Sequence, residues 1–160
     1  MDGPDGTCRL VAVDLEESGA GPGRGFIEGE RLAAVRDLIA ENTFRPAGCN
    51  GRDLRLKLAI RDNRLIFEIA DAGAAPLVRH ILSLTPLNRV LREYLEICES
   101  YNVAAGTLSP RQLEAIDMGR RGLHDEGAET LQDRLKGKVE MDFATARRLF
   151  TLLSALRWRG

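Results

Sequence analysis

Hydrophobic and polar residues alternate most strictly over residues 54–61, where leucine and isoleucine side chains share one face of an extended chain and basic side chains share the other. A second apolar run, residues 65–69, follows Asp62-Asn63, two residues that accept positive φ and suit a tight turn. This pattern predicts a β-hairpin with one buried face and one solvated face. Residues 9–15 and 77–84 have the apolar composition of two further strands, which would extend the hairpin into a sheet.

Apolar residues recur at helical spacing in other parts of the chain. Residues 28–42 form a predicted helix between the first strand and the hairpin. In the second half of the chain, Thr85-Pro86 predicts the start of a helix that ends near Gly106. Ser109 and Gln112 have the spacing of a capping box at the start of the next helix.

The pattern also predicts where the later helices break. Gly119 and Gly122 are expected to interrupt the helix after Ser109, with Asp125 capping a further segment that stops at Gly137. Asp142 is the predicted cap of the last helix. Apolar residues wrap most of the circumference of that helix, so we expect it to be enclosed by the rest of the protein or by a partner.

These elements predict an α+β protein with an antiparallel sheet of about four strands in the order β-α-β-β-β, followed by a helical C-terminal half packed on or beside the sheet. A length of 160 residues is typical of one domain. We therefore expect a single domain over residues 1–160, with a flexible N-terminus at residues 1–7 and a glycine-rich loop at residues 16–25. The loop lacks the Lys-Ser or Lys-Thr pair of a phosphate-binding loop, which favours a flexible connection.

The charges of the chain nearly cancel, because 23 Lys and Arg residues face 24 Asp and Glu residues, for a formal net charge of −1. This balance and an aromatic content of 5% disfavour nucleic acid as a partner. The chain has no apolar stretch of membrane-spanning length and no signal-peptide pattern, so we expect a cytoplasmic protein with no membrane partner. Only three of the 23 basic residues are lysines, and the other 20 are arginines. This excess of arginine reflects either a GC-rich coding sequence or the use of guanidinium groups in ion pairs and anion recognition.

Cys8, Cys49 and Cys98 are about 40 to 50 residues apart and form no C-x-x-C pair. Such spacing suggests neither a disulfide framework nor a thiolate metal cluster. We therefore expect three reduced, structural cysteines, no metal site and no cofactor.

The densest cluster of polar chemistry spans residues 117–126. If this segment is helical, its carboxylate, guanidinium and imidazole groups fall on one side and can converge on a small phosphate or carboxylate. If the glycines open the helix, exposed backbone N–H groups beside the paired arginines would form an anion-binding nest. The ligand-binding candidates are Asp117, Arg120, Arg121, His124 and Glu126. A structural network of ion pairs joining two helices accounts for the same residues and is the favoured interpretation.

His124, oriented by Asp125 or Glu126, is the most economical general acid or base in this cluster, because only histidine titrates near neutrality without perturbation. No nucleophile or cofactor motif accompanies it. We therefore assign no catalytic residue and favour a protein that is not an enzyme.

A second concentration of arginines lies at the C-terminal end of the chain, around its single tryptophan. Tryptophan and arginine are enriched in protein interfaces. The candidates for a partner surface are Arg147, Arg148, Arg157, Trp158 and Arg159.

Several longer strings of distinctive sequence lie at residues 41–46, 80–86, 97–101, 114–124, 145–151 and 158–160. They resemble those of a family of small alphaproteobacterial proteins, Uncharacterised Protein Family 0262. The resemblance covers nearly the whole chain and implies no activity, ligand or partner.

Together these observations favour a small cytosolic regulatory or adaptor protein that acts through a protein–protein surface on its C-terminal helices, with self-association as a further expectation. The alternative is an enzyme or sensor that binds a small anionic metabolite through Arg120, Arg121 and His124. A second alternative is nucleic-acid binding by the C-terminal arginines, since residues 109–160 carry 10 basic and 8 acidic residues.

Overall fold

Strands dominate the first half of the described chain and helices the second. The structure, a computed structural model, describes residues 8–16, 25–104 and 106–158. The predicted flexible N-terminus and residues 17–24 of the predicted glycine-rich loop therefore lie outside the described residues. The elements in chain order are β1 (Arg9–Leu15), α1 (Gly25–Ala40), β2 (Phe44–Pro46), β3 (Asp53–Arg61), β4 (Arg64–Asp71), β5 (Pro76–Ser83), α2 (Thr85–Ala104), α3 (Pro110–Arg134), β6 (Val139–Met141) and α4 (Phe143–Arg157).

The predicted α+β class is confirmed, and the main sheet has the strand order β1-β3-β4-β5. The pairs β3–β4 and β4–β5 are antiparallel, as expected. The pair β1–β3 is parallel, so the sheet is mixed rather than wholly antiparallel. The chain passes through α1 between these two strands, and such a crossover returns the chain to the same end of the sheet, so the next strand runs in the same direction.

The hairpin of β3 and β4 is confirmed in detail. Asp62 and Asn63 form its turn with φ angles of 50° and 58°, the left-handed conformation that a two-residue hairpin loop requires. The register places Leu56 opposite Ile69 and Leu58 opposite Phe67 on one face. These side chains are buried and join the hydrophobic core.

The expectation of three reduced cysteines is wrong, because Cys8 and Cys49 form a disulfide while Cys98 is free and buried. Parallel pairing of β1 with β3 places Arg9 opposite Asp53, which brings the start of β1 beside the loop before β3. The two cysteines lie 41 residues apart in sequence, and only this strand pairing makes them neighbours.

A second, two-stranded sheet of β2 and β6 was not predicted. Each strand has three residues, too few for a periodic pattern to stand out. The pair joins the segment after α1 to the segment before α4.

The expected interruption of the third helix is also wrong, because α3 is one continuous helix of 25 residues. Gly119 and Gly122 lie inside it, and Asp125 is a mid-helix residue rather than a cap. The capping box of Ser109 and Gln112 is confirmed by hydrogen bonds in both directions. Since α3 packs against both α2 and α4, tertiary contacts stabilise the helix where local propensity alone favours a break.

Helix α4 is enclosed by its own chain. Asp142 caps it as predicted, its side chain accepting a hydrogen bond from the backbone N–H of Thr145 at 2.8 Å. Leu149, Phe150 and Leu153 of α4 are fully buried. The helix packs against α1, α3 and α2. The hydrophobic core joins these helices to one face of the sheet, and the opposite face carries both charged and apolar side chains. No helix among the described residues is long and apolar enough to cross a membrane.

Candidate functional surfaces

Asp117 holds both arginines of the predicted ligand cluster. Arg120 donates to its carboxylate from Nη2 at 2.7 Å and from Nε at 3.2 Å, and Arg121 Nη2 lies 2.9 Å from the second oxygen. The hydrogen bond from Arg120 is the main cause that lowers the pKa of Asp117. The three residues lie one turn apart on α3, so this part of the cluster is an ion-paired group within a single helix.

His124 contacts side chains of the neighbouring helices α2 and α4 rather than this ion-paired group. Its Nε2 lies 2.8 Å from the hydroxyl of Thr151 on α4, and its ring contacts the rings of Tyr94 and Phe150 at centroid distances of 5.3 Å. Burial, helped by the nearby charge of Arg147, lowers the pKa of His124 to about 4. The imidazole is therefore neutral at neutral pH and is a weak base.

The remaining acidic residues of the cluster pair with other helices. Asp125 Oδ1 lies 3.2 Å from Arg147 Nε on α4. Glu126 pairs with Arg89 on α2, which also bonds Glu93 at 2.6 Å. The structure thus divides the five predicted ligand residues among three separate sets of contacts.

A buried Tyr94–Cys98 pair lies near the partly buried Arg120. Of the two residues, sequence indicated only Cys98, as a structural thiol. Burial raises the pKa of the Cys98 thiol, and burial also raises the pKa of Tyr94. Both side chains belong to the hydrophobic core, so the thiol has the properties of a core residue rather than of a nucleophile.

The residues predicted to form a partner surface at the C-terminal end differ in their contacts. Arg147 contacts Asp125, and Arg148 Nη1 donates to the carbonyl of Glu41 at 2.9 Å. Arg157 lies in the last turn of α4 and Trp158 is its C-cap, half-buried. Arg159 lies outside the described residues.

The face of the sheet away from the hydrophobic core carries a trough that sequence did not locate. Its volume is about 590 Å³. Its lining residues include Asp14, Arg55, Lys57, Glu68, Ala70, Leu77 and Arg79, and we call this surface the outer trough. The alternation in β3 predicted a solvated face, but the neighbours of Arg55 and Lys57 on that face depend on the strand order, which the sequence does not show.

Two further concavities lie on the described surface. One of about 220 Å³ adjoins the outer trough at Leu77 and Val78 and extends to Cys49. One of about 650 Å³ is lined mainly by polar residues between the start of α2 and the end of α3. None of the three contains a residue of the predicted ligand cluster. Within the described ranges, no group of three His, Cys, Asp or Glu residues is placed to hold a metal ion.

The fold defines an α+β protein with a mixed four-stranded sheet backed on one face by helices. The model of a family described as "Uncharacterised protein family (UPF0262)" matches residues 7–159, and the chain belongs to this family, which confirms the resemblance found in the sequence.

Relatives in this family align along almost their whole length. A UPF0262 protein of Brucella canis is 56% identical over 154 residues, which is 96% of each chain. A UPF0262 protein of Nitrobacter winogradskyi is 52% identical over 98% of this chain and 93% of its own. One from a Bradyrhizobium species is 51% identical over 99% and 95%. No solved structure matches the chain.

Proposed function

We propose that this protein is a regulatory or adaptor protein that is not an enzyme, and that it binds another protein through the outer trough. One observation carries the proposal: apolar side chains lie exposed beside charged side chains in the outer trough. Leu77 is 43% exposed and Ala70 is partly exposed. Arg55, Lys57 and Arg79 line the same trough. An apolar centre with a polar rim is the usual anatomy of a protein interface.

The charges of the outer trough favour a protein over a polyanion. Its basic residues are accompanied by Asp14 on β1 and Glu68 on β4. Glu68 lies 3.6 Å from Arg79. A surface with both signs of charge fits a partner that also carries both signs, whereas nucleic acid is attracted by an excess of positive charge.

The C-terminal helices are less suited than the outer trough to bind a partner, because their side chains already contact the rest of the chain. The apolar side chains of α4 that suggested a partner surface are covered by the same chain. Arg147 and Arg148 already contact Asp125 and the carbonyl of Glu41. A partner on this side would have to replace these contacts before it gained its own.

The contacts of the predicted ligand cluster likewise favour an adaptor over an anion sensor. Arg120 and Arg121 share the carboxylate of Asp117, which an incoming phosphate would have to displace. His124 is neutral at neutral pH and hydrogen-bonded to Thr151, so it adds no positive charge.

Affinity capture with two matched variants, each with one alanine replaced by glutamate, tests the proposal. Ala70→Glu places a long charged side chain at the centre of the outer trough, and Ala115→Glu makes the same change on the exposed surface of α3. A charge buried in an interface costs more than about 1.4 kcal/mol, so we expect a specific partner to bind Ala70→Glu at least about tenfold more weakly than wild type. Ala115→Glu should bind like wild type.

Circular dichroism of both variants establishes that the fold is intact. A partner retained equally by the two variants overturns the proposal for this surface. Failure of the wild-type protein to retain any partner under the same conditions overturns the adaptor role itself.

A further inference from the structure

The two edge strands of the main sheet, β1 and β5, differ in the hydrogen bonds made by their outward-facing backbone groups. At the β1 edge, the side-chain amide of Asn42 accepts a hydrogen bond from Leu10 N at 2.8 Å and donates one to Leu10 O at 2.9 Å. At this one residue it makes the two bonds that a neighbouring strand would make. At the β5 edge, no side chain or backbone group among the described residues bonds in this way to Arg79 or Ile81. An open strand edge is a template for pairing with another strand.

The ladder between β4 and β5 shows which backbone groups face outward. Leu84 N donates to Asn63 O at 2.9 Å, which makes these two residues a hydrogen-bonded pair of the antiparallel ladder. Pairs of this kind alternate with pairs that have no mutual bonds. In the register that places His80 opposite Phe67, His80 bonds towards β4, whereas Arg79 and Ile81 direct their N–H and C=O groups to the free edge.

We propose that β5 pairs in antiparallel fashion with β5 of a second copy of this chain, about a two-fold axis that passes His80. Arg79 would then exchange backbone hydrogen bonds with Ile81 of the partner subunit, and the symmetric pair would form on the other side of the axis. The two main sheets would become one continuous sheet.

The residues of β5 make it complementary to itself in this register. On one sheet face, Val78 lies opposite Leu82 of the partner subunit, an apolar pair that occurs twice by symmetry. On the other face, Arg79 lies opposite Ile81 of the partner subunit, and the charge of Arg79 already has Glu68 as its neighbour within the chain. No like charges lie opposite each other.

His80 lies at the axis and faces its symmetry mate. Burial and the nearby Lys138 lower the pKa of His80, so the two imidazoles are neutral at neutral pH and can lie side by side. Other symmetric registers are less favourable. An axis at Arg79 would place two guanidinium groups opposite each other, and an axis at Ile81 would leave only residues 79–83 of β5 paired instead of residues 77–83.

Cysteine substitution tests both the pairing and its register. Residues at the axis in a pair without mutual hydrogen bonds have Cα atoms about 4.5 Å apart, within the range of a disulfide. His80→Cys should therefore form a covalent dimer under mild oxidation. Ile81→Cys and Ser83→Cys, at neighbouring positions of the same strand, should remain uncrosslinked because their symmetry mates lie farther away.

Sedimentation of the full chain provides the second measurement. We expect wild type at high micromolar concentration to have twice the 17.6 kDa mass of the chain. Ile81→Pro removes an outward-facing donor without removing a bond to β4, and should be a folded monomer, whereas Ile81→Ala keeps the donor and should remain a dimer. If Ile81→Pro does not fold, the cysteine variants still test the pairing of β5 and its register.

A monomeric wild type, or crosslinking of Ile81→Cys in preference to His80→Cys, overturns the proposal. The outer trough shares Leu77 and Arg79 with β5, but Ala70 lies on β4 and outside the paired residues 77–83, so the Ala70→Glu result and the cysteine result can fail independently.

Discussion

Gly127 allows α3 to approach α4 closely, and replacing it with alanine should destabilise the protein. A Cβ atom at this position would lie 2.2 Å from Cε1 of Phe150 and 2.5 Å from two further ring carbons. Carbon atoms in contact are normally about 3.5 to 4.0 Å apart, so the ring or the helices would have to move by more than about 1 Å. Phe150 is fully buried and its ring contacts those of Tyr94 and His124, which limits such movement.

The expected magnitude follows from two opposing effects. Overpacking of a core costs about 1 to 3 kcal/mol, while Gly→Ala inside a helix gains about 1 kcal/mol. Gly127→Ala should therefore lower the free energy of unfolding by up to about 2 kcal/mol. Gly122→Ala, five residues earlier on α3, meets no atom within 4 Å and should raise it by about 1 kcal/mol.

Urea denaturation followed by far-UV circular dichroism measures this difference. The two variants should differ by about 1 to 3 kcal/mol, which separates their unfolding midpoints by about 0.5 to 1.5 M urea. Adding Phe150→Leu to Gly127→Ala should cost less than the sum of the two single changes, because the smaller side chain relieves the overlap. Equal stability of the two alanine variants would refute the close packing of α3 on α4.

Three further predictions concern single side chains. The pKa of His124 in the folded protein, about 4, lies below its ordinary value of 6.5, so the stability due to neutral His124 is present above pH 6.5 and is lost as the pH falls towards 4. Unfolding in urea at about pH 7 and pH 4.5 should show a loss of about 2 to 3 kcal/mol that His124→Gln lacks, and an identical loss in both proteins would contradict the neutral, buried imidazole. Asp142→Ala should lower the unfolding free energy by about 1 to 2 kcal/mol while Asp142→Asn retains most of the cap, and equal effects in thermal unfolding would argue against capping. Asn42→Ala should cost about 1 to 3 kcal/mol by leaving the backbone of Leu10 unpaired, whereas the exposed Asn102→Ala should be neutral, and similar melting temperatures for the two would contradict the closed β1 edge.

Local patterns were sufficient to predict elements whose structure depends on nearby residues. The hairpin turn at Asp62 and Asn63 and the caps at Ser109 and Asp142 are of this kind, since each depends on residues within three or four positions. The parallel β1–β3 pair and the disulfide of Cys8 and Cys49 depend on how distant segments meet, which no local pattern encodes.

The glycines and the charged residues of α3 also depend on contacts with distant segments, which local sequence patterns do not predict. Sequence indicated a break at Gly119 and Gly122, but contacts of α3 with α2 and α4 keep the helix intact. The residues predicted to converge on a ligand lie on one helix, as one of the two alternatives supposed, yet Glu126 pairs with α2 and His124 contacts α4. Whether side chains on one helix face each other or the neighbouring helices depends on the packing angles, which sequence does not show.

Photo-crosslinking in cells tests the adaptor role most directly. A photoreactive amino acid in place of Ala70 would lie at the centre of the outer trough, and the same residue in place of Ala115 would lie on the exposed surface of α3. We predict a discrete adduct with another protein from position 70 and none from position 115. No adduct from position 70, or the same adducts from both positions, would contradict the proposed function.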